Sequence, residues 1–535
     1  MRSTFSGLEI AKRSLFTQQA ALTTTGHNIA NANTQGYSRQ VVNMVASRPI
    51  EYPGLQNSTV PGQMGQGVEF DSIKRVREKF LDNQYHNENK NLGDWSVRQD
   101  TLEKLEAIFN EPSDTGIRQT IEGFWNAWQE LSKSPENTTA RVLVKEKALA
   151  MTDAFNQTSR QLQDLSSDLT ENIEVKVKQI NQYTSQIADL NEQIYRIEGL
   201  GDDANDLRDQ RDLLMDNLSQ IVNISYTEED QGYNIKMGNV QLVSGNTVDT
   251  TFTRDTLEAA ATANNLNSGE VYGMIQSRDN YVANYQFQLD NMLKVLVQGD
   301  TKVTLPQGMV VPDGTTLTVV NSDGTTEQRA YSGTIEQRTL GANTDVVVQG
   351  FNGLHQLGYS ASSPLKSNVP FFTLKPGTTE VNAANITVNP AIVSDVSNIS
   401  SSARTYIDTD GVEKVVKGNN DMALLLAGVR NTKVNFDPST SGKPILTDGT
   451  FDEFFRSIVG ELGVQSQEAA RQATNQKILV DQVDSRRQSV SGVSLDEEMA
   501  NMIKFQHAYN AAARALTTFD ECLDKVINSM GTVGR

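Results

Sequence analysis

Apolar residues near the start of the chain recur in steps of seven, Leu8, Leu15, Leu22 and Ile29, with Phe5, Ala11 and Ala21 beside them. Seven residues is close to two helical turns, so the spacing predicts an amphipathic helix with one narrow apolar stripe. Asn31, Asn33 and Gly36 follow, and all three enter turn or left-handed conformations cheaply, so the helix is expected to stop there. Near the other end, Leu495, Met502, Phe505, Tyr509, Ala512, Leu516, Phe519, Leu523, Val526 and Met530 follow alternating steps of three and four, with Glu498 as one polar interruption. That is the pattern of a coiled-coil seam about five heptads long. Neither stripe is wide enough to build a core alone. The two are expected to bury each other.

Between the ends the pattern changes twice. Residues 71 to 223 are helix-rich: Leu162, Leu165, Leu169, Ile180, Tyr183, Ile187, Leu190, Ile194 and Ile197 predict one long helix from about 140 to 198. Gly199 and Gly201 break it, and Leu207, Leu214, Leu218 and Ile221 predict a helix returning alongside. From about 224 short alternating runs with Gly turns predict antiparallel strands. Helical pattern resumes from about 270 to Val297, and a second strand-rich block follows, with Asp313-Gly314 and Asp323-Gly324 as hairpin turns. Helices return near 419 and from 451 onward.

The fold class expected is therefore multidomain, α and β. Terminal helices pair as an α-helical coiled coil, a long-helix bundle domain follows, and antiparallel β-rich outer domains are inserted in nested fashion. The boundaries expected are 1–45 with 491–535 for the terminal coiled coil and 46–223 with 419–490 for the helical rod. Helices near 270–297 and 351–360 can join the rod. Residues 224–269 and 298–418 form the β-rich outer part.

Composition narrows the partners. Lys and Arg number 47 against 66 Asp and Glu, a net charge of -19, which argues against nucleic acid or an anionic membrane as the main partner. The N-terminal residues hold no unbroken apolar run, so no secretory signal peptide is read, and no stretch approaches the roughly 20 apolar residues of a membrane span. Cys522, the single cysteine, cannot form an intramolecular disulfide and is expected as a small buried side chain of the C-terminal helix.

Candidate chemistry is sparse. His27, His86, His355 and His507 are far apart, and none has metal-ligand spacing. "GDDANDLRDQRD" at 201 to 212 lacks the central Gly and terminal Glu of a calcium loop, and its Asp and Arg spacings suit surface pairs on a helix. "PGQMGQGVEF" at 61 to 70 lacks the Lys-Ser/Thr of a phosphate cradle and reads as a pair of turns before a strand. No nucleophile elbow or Cys/His pair is present. No catalytic residue, cofactor site or metal site is expected, and the chain is not read as an enzyme.

The segment "NIANANTQGYSRQ", residues 28 to 40, resembles the N-terminal signature of the bacterial flagellar rod, hook and hook-associated axial protein family, Ala-Asn-x-x-Thr-x-Gly-Tyr/Phe. Its ending, Tyr37-Ser38-Arg39-Gln40, looks like the hook-associated members. Residues 65–84, 207–225, 351–359 and 496–530 carry further similarity, and the departure is a β insertion at 298 to 350.

The resemblance implies a structural adaptor joining hook to filament, packed through its paired terminal helices. An N-terminal assembly interface is expected at Leu8, Leu15, Leu22, Ile29, Asn31, Asn33, Thr34, Gly36 and Tyr37. A C-terminal interface for assembly and for a chaperone is expected at Met502, Phe505, Tyr509, Leu516, Phe519, Leu523, Val526 and Met530. The implied partners are further copies of the chain in a ring, hook protein, a second junction protein of the FlgL type and an export chaperone of the FlgN type. The implied location is the extracellular flagellum at the hook-filament junction, after a cytoplasmic stage before type III export. The alternatives are another axial protein of hook or rod, and an extracellular enzyme carried on a flagellar scaffold.

Overall fold

A computed structural model describes residues 5–49, 65–111, 116–437 and 442–529. The chain opens with helix α1 (Ser6–Ala30), strands β1 (Gln40–Ala46) and β2 (Val68–Arg75), and helices α2 (Lys79–Phe109), α3 (Ile117–Lys133), α4 (Thr138–Glu198) and α5 (Asn205–Ile221). Strands β3 (Ser225–Glu229), β4 (Gly232–Met237), β5 (Val240–Ser244) and β6 (Thr247–Val248) precede α6 (Arg254–Thr262) and α7 (Glu270–Gln276). A π-helical turn (Ser277–Val282) leads into α8 (Ala283–Gln298). Then come β7 (Asp300–Leu305), β8 (Thr315–Val320), β9 (Thr326–Tyr331), α9 (Ile335–Arg338), β10 (Thr344–Gln349), α10 (Gly350–Gln356) and α11 (Pro390–Ser394). Helices α12 (Asp421–Gly428), α13 (Phe451–Ser491) and α14 (Leu495–Asp524) complete the chain.

The expected mixture of long helices and antiparallel sheets is what forms. The 61-residue α4 matches the long periodic run, and α5 returns beside its end, tied by Arg208 to Glu198 and by Arg211 to Asn191. Chain contacts divide the molecule into two compact units. One contains residues 1–95, 173–273 and 472–535, the other 96–172 and 274–471.

In the first unit, β1 pairs antiparallel with β2 beside α1, with a bulge between Asn43 and Met44. Strands β3 to β6 make a four-stranded antiparallel sheet in sequence order. Asn191 holds that sheet to α4, donating to the carbonyls of Tyr233 (3.2 Å) and Gly245 (2.7 Å).

In the second unit, a sheet of order β7-β10-β8-β9 corrects one turn assignment. Asp323-Gly324 does close the β8–β9 hairpin, with Gly324 at φ +85°. Asp313-Gly314 is a turn but not a hairpin, because β10 lies between β7 and β8 in the sheet. Periodicity locates strands and cannot say which neighbour each one pairs with. The core of this unit is aromatic: Phe124, Trp128, Phe351, Phe371 and Phe372 are fully buried and meet at ring-centroid distances of 4.9 to 6.3 Å. Aromatic edge-to-face contacts of this kind add about 1 kcal/mol per pair beyond area burial.

Candidate assembly site at the paired termini

Helices α1 and α14 pack together within the first unit, as the two stripes require. They run antiparallel in one register. Near one end Gly7 abuts Phe519, so closely that an added Cβ would lie 2.5 Å from the ring. Near the other, Asn28 Nδ2 donates to Glu498 Oε2 at 3.1 Å. The two contacts are 21 residues apart on each helix, 7 to 28 and 498 to 519, which is three heptads.

Glu498 is therefore no interruption. It is 3% exposed, and Asn28 is 1% exposed. Asn28 uses every valence of its amide. Nδ2 donates to the carbonyl of Gln40 (2.9 Å) as well as to Glu498, while Oδ1 accepts from the Tyr37 hydroxyl (2.8 Å) and the Gln40 N–H (3.0 Å). One side chain thus joins the end of α1, the signature turn, the start of β1 and the start of α14. Buried amides left without such partners cost roughly 1–3 kcal/mol, so the arrangement is closely specified.

The signature turn is built from residues that suit it. Thr34 N–H reaches the carbonyl of Asn31 (2.9 Å), Tyr37 N–H that of Thr34 (3.2 Å), and Gly36 sits at φ +80° against Leu213. Burial, then Asp206, Asp209 and Glu498, hold the Tyr37 phenol well above its ordinary pKa, so it stays a donor. Asn31 is half-buried and bonds locally, its Nδ2 to the carbonyl of His27, its Oδ1 to Thr34 Oγ1. Asn33 and Thr34 are exposed.

Beyond the turn, the chain is held by carboxylates of α5. Ser38 N–H donates to Asp209 Oδ2 (2.9 Å) and Gln40 Nε2 to Asp206 Oδ1 (2.7 Å). Arg75 reaches Asp209 (2.6 Å) and Asp212 (2.9 Å), Arg77 pairs with Asp82 and approaches Asp212 (3.3 Å), and Arg487 reaches Asp216 (2.6 Å). His86 Nε2 meets Asp216 Oδ1 at 2.9 Å. Asp209, Asp212 and Asp216 are buried while Asp206 is exposed, which corrects the expectation of surface pairs at Asp209 and Asp212: α5 is covered on this face by β2 and α2. Burial alone would raise their pKa values. At Asp212 the guanidiniums of Arg77 and Arg75 overcome it, and at Asp216 His86 and Arg487 do, so both are lowered. Asp209 is raised, burial outweighing Arg75 and the Ser38 N–H. The same group of elements borders a polar cleft of about 630 Å³, lined by residues 32 to 39, Arg77, Tyr85, Arg487 and the α13–α14 connection.

Of the sequence-derived set, Leu8, Leu15, Leu22, Ile29, Met502, Phe505, Tyr509, Leu516 and Leu523 are half-buried. Phe519 is 41% exposed although it covers Gly7, and Val526 is exposed in a π-helical turn beyond α14. Leu495 is 48% exposed and Cys522 is exposed, which corrects the buried reading of the thiol. Met530 lies outside the described residues. The fully buried positions of α1 are Ala11, Thr17, Ala21, Thr24, Thr25 and Asn28, small or hydroxyl-bearing residues that allow close approach of neighbouring backbone.

Comparison with known proteins connects these elements to a family. The chain is 34% identical to flagellar hook-associated protein 1 of Bacillus subtilis over the full length of both. It belongs to the flagellar hook-associated protein 1 family. The relative from Salmonella typhimurium is 26% identical, covering 95% of this chain and 97% of that one. Residues 102–303 match the family model described as flagellar hook-associated protein FlgK helical domain. Residues 8–37 match the flagella basal body rod protein family, and 485–530 the flagellar basal body rod FlgEFG protein C-terminal family. Those two segments take in nearly all of α1 with its turn and the whole of α14, the helices that pair here. A solved structure, the flagellar hook junction protein FlgK from Burkholderia pseudomallei, is similar at 16% identity with a TM-score of 0.46, covering 77% of this chain and all of that one. As a family member the chain is a structural, exported component of the extracellular flagellum that assembles with other flagellar components.

Proposed function

We propose that this chain is the non-catalytic adaptor at the hook-filament junction, assembling as a ring of its own copies through the paired terminal helices. Hook protein lies on one side and a second junction protein of the FlgL type on the other. A chaperone of the FlgN type holds the C-terminal segment before type III export from the cytoplasm. The observation that carries this reading is the antiparallel α1–α14 pair, whose seam leaves Leu8, Leu15, Leu22, Ile29, Phe505, Tyr509 and Leu516 only half covered. A pair that satisfies its polar groups internally and leaves apolar flanks open is suited to further helix packing.

The N-terminal set from Leu8 to Tyr37 and the C-terminal set from Met502 to Met530 are the proposed assembly surfaces. The proposed outer boundary of the terminal domain is 1–45 with 491–535, enclosing a helical rod and β-rich outer parts. Asp209, Asp212 and Asp216 are each engaged by arginine or histidine, which suits a structural network that ties the signature turn to α5. Electron microscopy of a strain lacking the gene, with filament protein assayed in the medium, tests the reading. Complete hooks without filaments, and filament protein shed to the medium, are expected. Bodies that stop before a complete hook would move the chain to rod or hook, and intact filaments would overturn the proposal.

A further inference from the structure

We infer that the Asn28–Glu498 pair selects the register and the partner of the terminal helices, so that each α1 takes the α14 of its own chain. This rests on the geometry of the pair and not on the junction reading. Both stripes are apolar heptad patterns, and apolar seams are permissive: a displacement by seven residues, or two α14 helices laid together, would bury comparable surface. The polar pair removes that degeneracy.

Displaced by one heptad in either direction, the antiparallel pair sets Glu498 level with Ala21 and Asn28 with Ser491, or Glu498 level with Gln35 and Asn28 with Phe505. The displacement that brings Glu498 to Ala21 leaves its carboxylate facing an apolar group and puts Asn28 beyond the start of α14 at Leu495. The opposite displacement runs Glu498 off the end of α1, which stops at Ala30, and leaves the Asn28 amide facing Phe505. Two α14 helices pairing with each other would bury Glu498 with no amide donor from α1. Only the observed register gives Glu498 the Nδ2 of Asn28, an amide already fixed in place by the carbonyl and N–H of Gln40. A polar residue at a single seam position is the attested device for fixing register and association state, and it does so by penalising the alternatives.

The charges nearby do not duplicate this role. Glu497, the adjacent acid, is well exposed and pairs with Arg39 at 2.8 Å on the rim, where screening makes it weakly selective. The lock is therefore carried by the buried carboxylate and not by the exposed one beside it.

Sedimentation velocity of the purified full-length chain over a concentration series tests the assignment, with helix content followed by circular dichroism. Wild type and Glu498→Gln, which keeps a polar partner for Asn28, are expected to remain monomeric. Glu498→Leu completes the apolar stripe and is expected to shift the monomer boundary to dimers and larger species as concentration rises. Asn28→Leu is expected to do the same from the other helix. Glu498→Ala removes the carboxylate without extending the stripe and is expected to stay monomeric. Association of Glu498→Ala to the same extent as Glu498→Leu would mean simple misfolding and would overturn the inference. So would Glu498→Leu and Asn28→Leu proteins as monomeric as wild type.

Discussion

The backbone N–H of Ser38 is fixed 2.9 Å from Oδ2 of Asp209, a residue 171 positions later, and Arg75 shares the same carboxylate through Oδ1 at 2.6 Å. Asp209 thus couples the end of the signature turn to α5. Replacing it by alanine leaves Arg75 without one of its two carboxylates and the Ser38 N–H without an acceptor. Asp209→Ala is expected to destabilise the first unit by about 3 kcal/mol, the order of cost for breaking a buried ion pair from one side. Asp209→Asn retains an acceptor and is expected to cost about half as much. Hydrogen exchange of the Ser38 amide is the check: it should accelerate strongly in the alanine variant and less in the asparagine one.

Acid should act on the second unit through His355. The ring is fully buried beside Trp128, its Nε2 accepts from the Ser400 N–H (2.9 Å), and Nδ1 therefore donates to the carbonyl of Val369 (2.7 Å). Burial lowers its pKa from 6.5 to about 4, against the carbonyl of Val369 and with help from Arg141. A histidine depressed in this way favours the fold while neutral. Its contribution is whole above pH 6.5 and is lost as pH falls through about 4. The size expected is of order 3 kcal/mol. Fluorescence of Trp125 and Trp128 during urea unfolding at successive pH values should show the midpoint falling across that interval. A midpoint that holds steady from neutral pH to below pH 4 would contradict it.

The fit of Gly7 against Phe519 can be measured by a double-mutant cycle. Gly7→Ala puts a Cβ into the Phe519 ring. The ring is partly exposed and can swing away, so the expected cost is about 1 kcal/mol. Phe519→Ala removes the obstacle, and Gly7→Ala is then expected to be neutral or slightly stabilising in the helix. Equal cost of Gly7→Ala in both backgrounds would show that the two residues do not meet.

The periodic elements were legible because one physical signal fixed each of them. The stripes of α1 and α14, the 61 residues of α4 and the break at Gly199 and Gly201 follow from apolar spacing and glycine alone. What sequence reading missed is polar. Asn28 stands in the sequence only as the first residue of the signature segment and Glu498 as an interruption of a seam, yet each is the other's partner. The available signal was Glu498, one acid in the otherwise apolar stripe of α14; Asn28 lies beside the Leu8, Leu15, Leu22 and Ile29 row and not in it, so α1 gave none. The aspartate network was missed for a similar reason. Asp209, Asp212 and Asp216 recur at helical spacing, while Arg75 and Arg77 alternate along an extended segment, and only the tertiary fold lays one row on the other. The order β7-β10-β8-β9 was equally out of reach, since register between distant strands is a property of packing.

Gly36 is expected to tolerate little. Its φ of +80° is in the left-handed region, and a Cβ would meet Leu213 at 3.1 Å. Gly36→Val should cost roughly 1 to 3 kcal/mol in backbone strain, and Gly36→Asn less. Limited proteolysis in the 31–40 turn should report the difference, with faster cleavage in the valine variant.

The central claim is that the paired terminal helices carry assembly, and Leu516→Asp addresses it most directly. Leu516 is half-buried in the α14 seam, so the substitution puts an unpaired charge against α1 while leaving both units otherwise unchanged. Cells whose only copy carries Leu516→Asp should be examined by electron microscopy. Hooks bare of filaments, with filament protein in the medium, are predicted; filaments joined to hooks as in wild type would contradict the account.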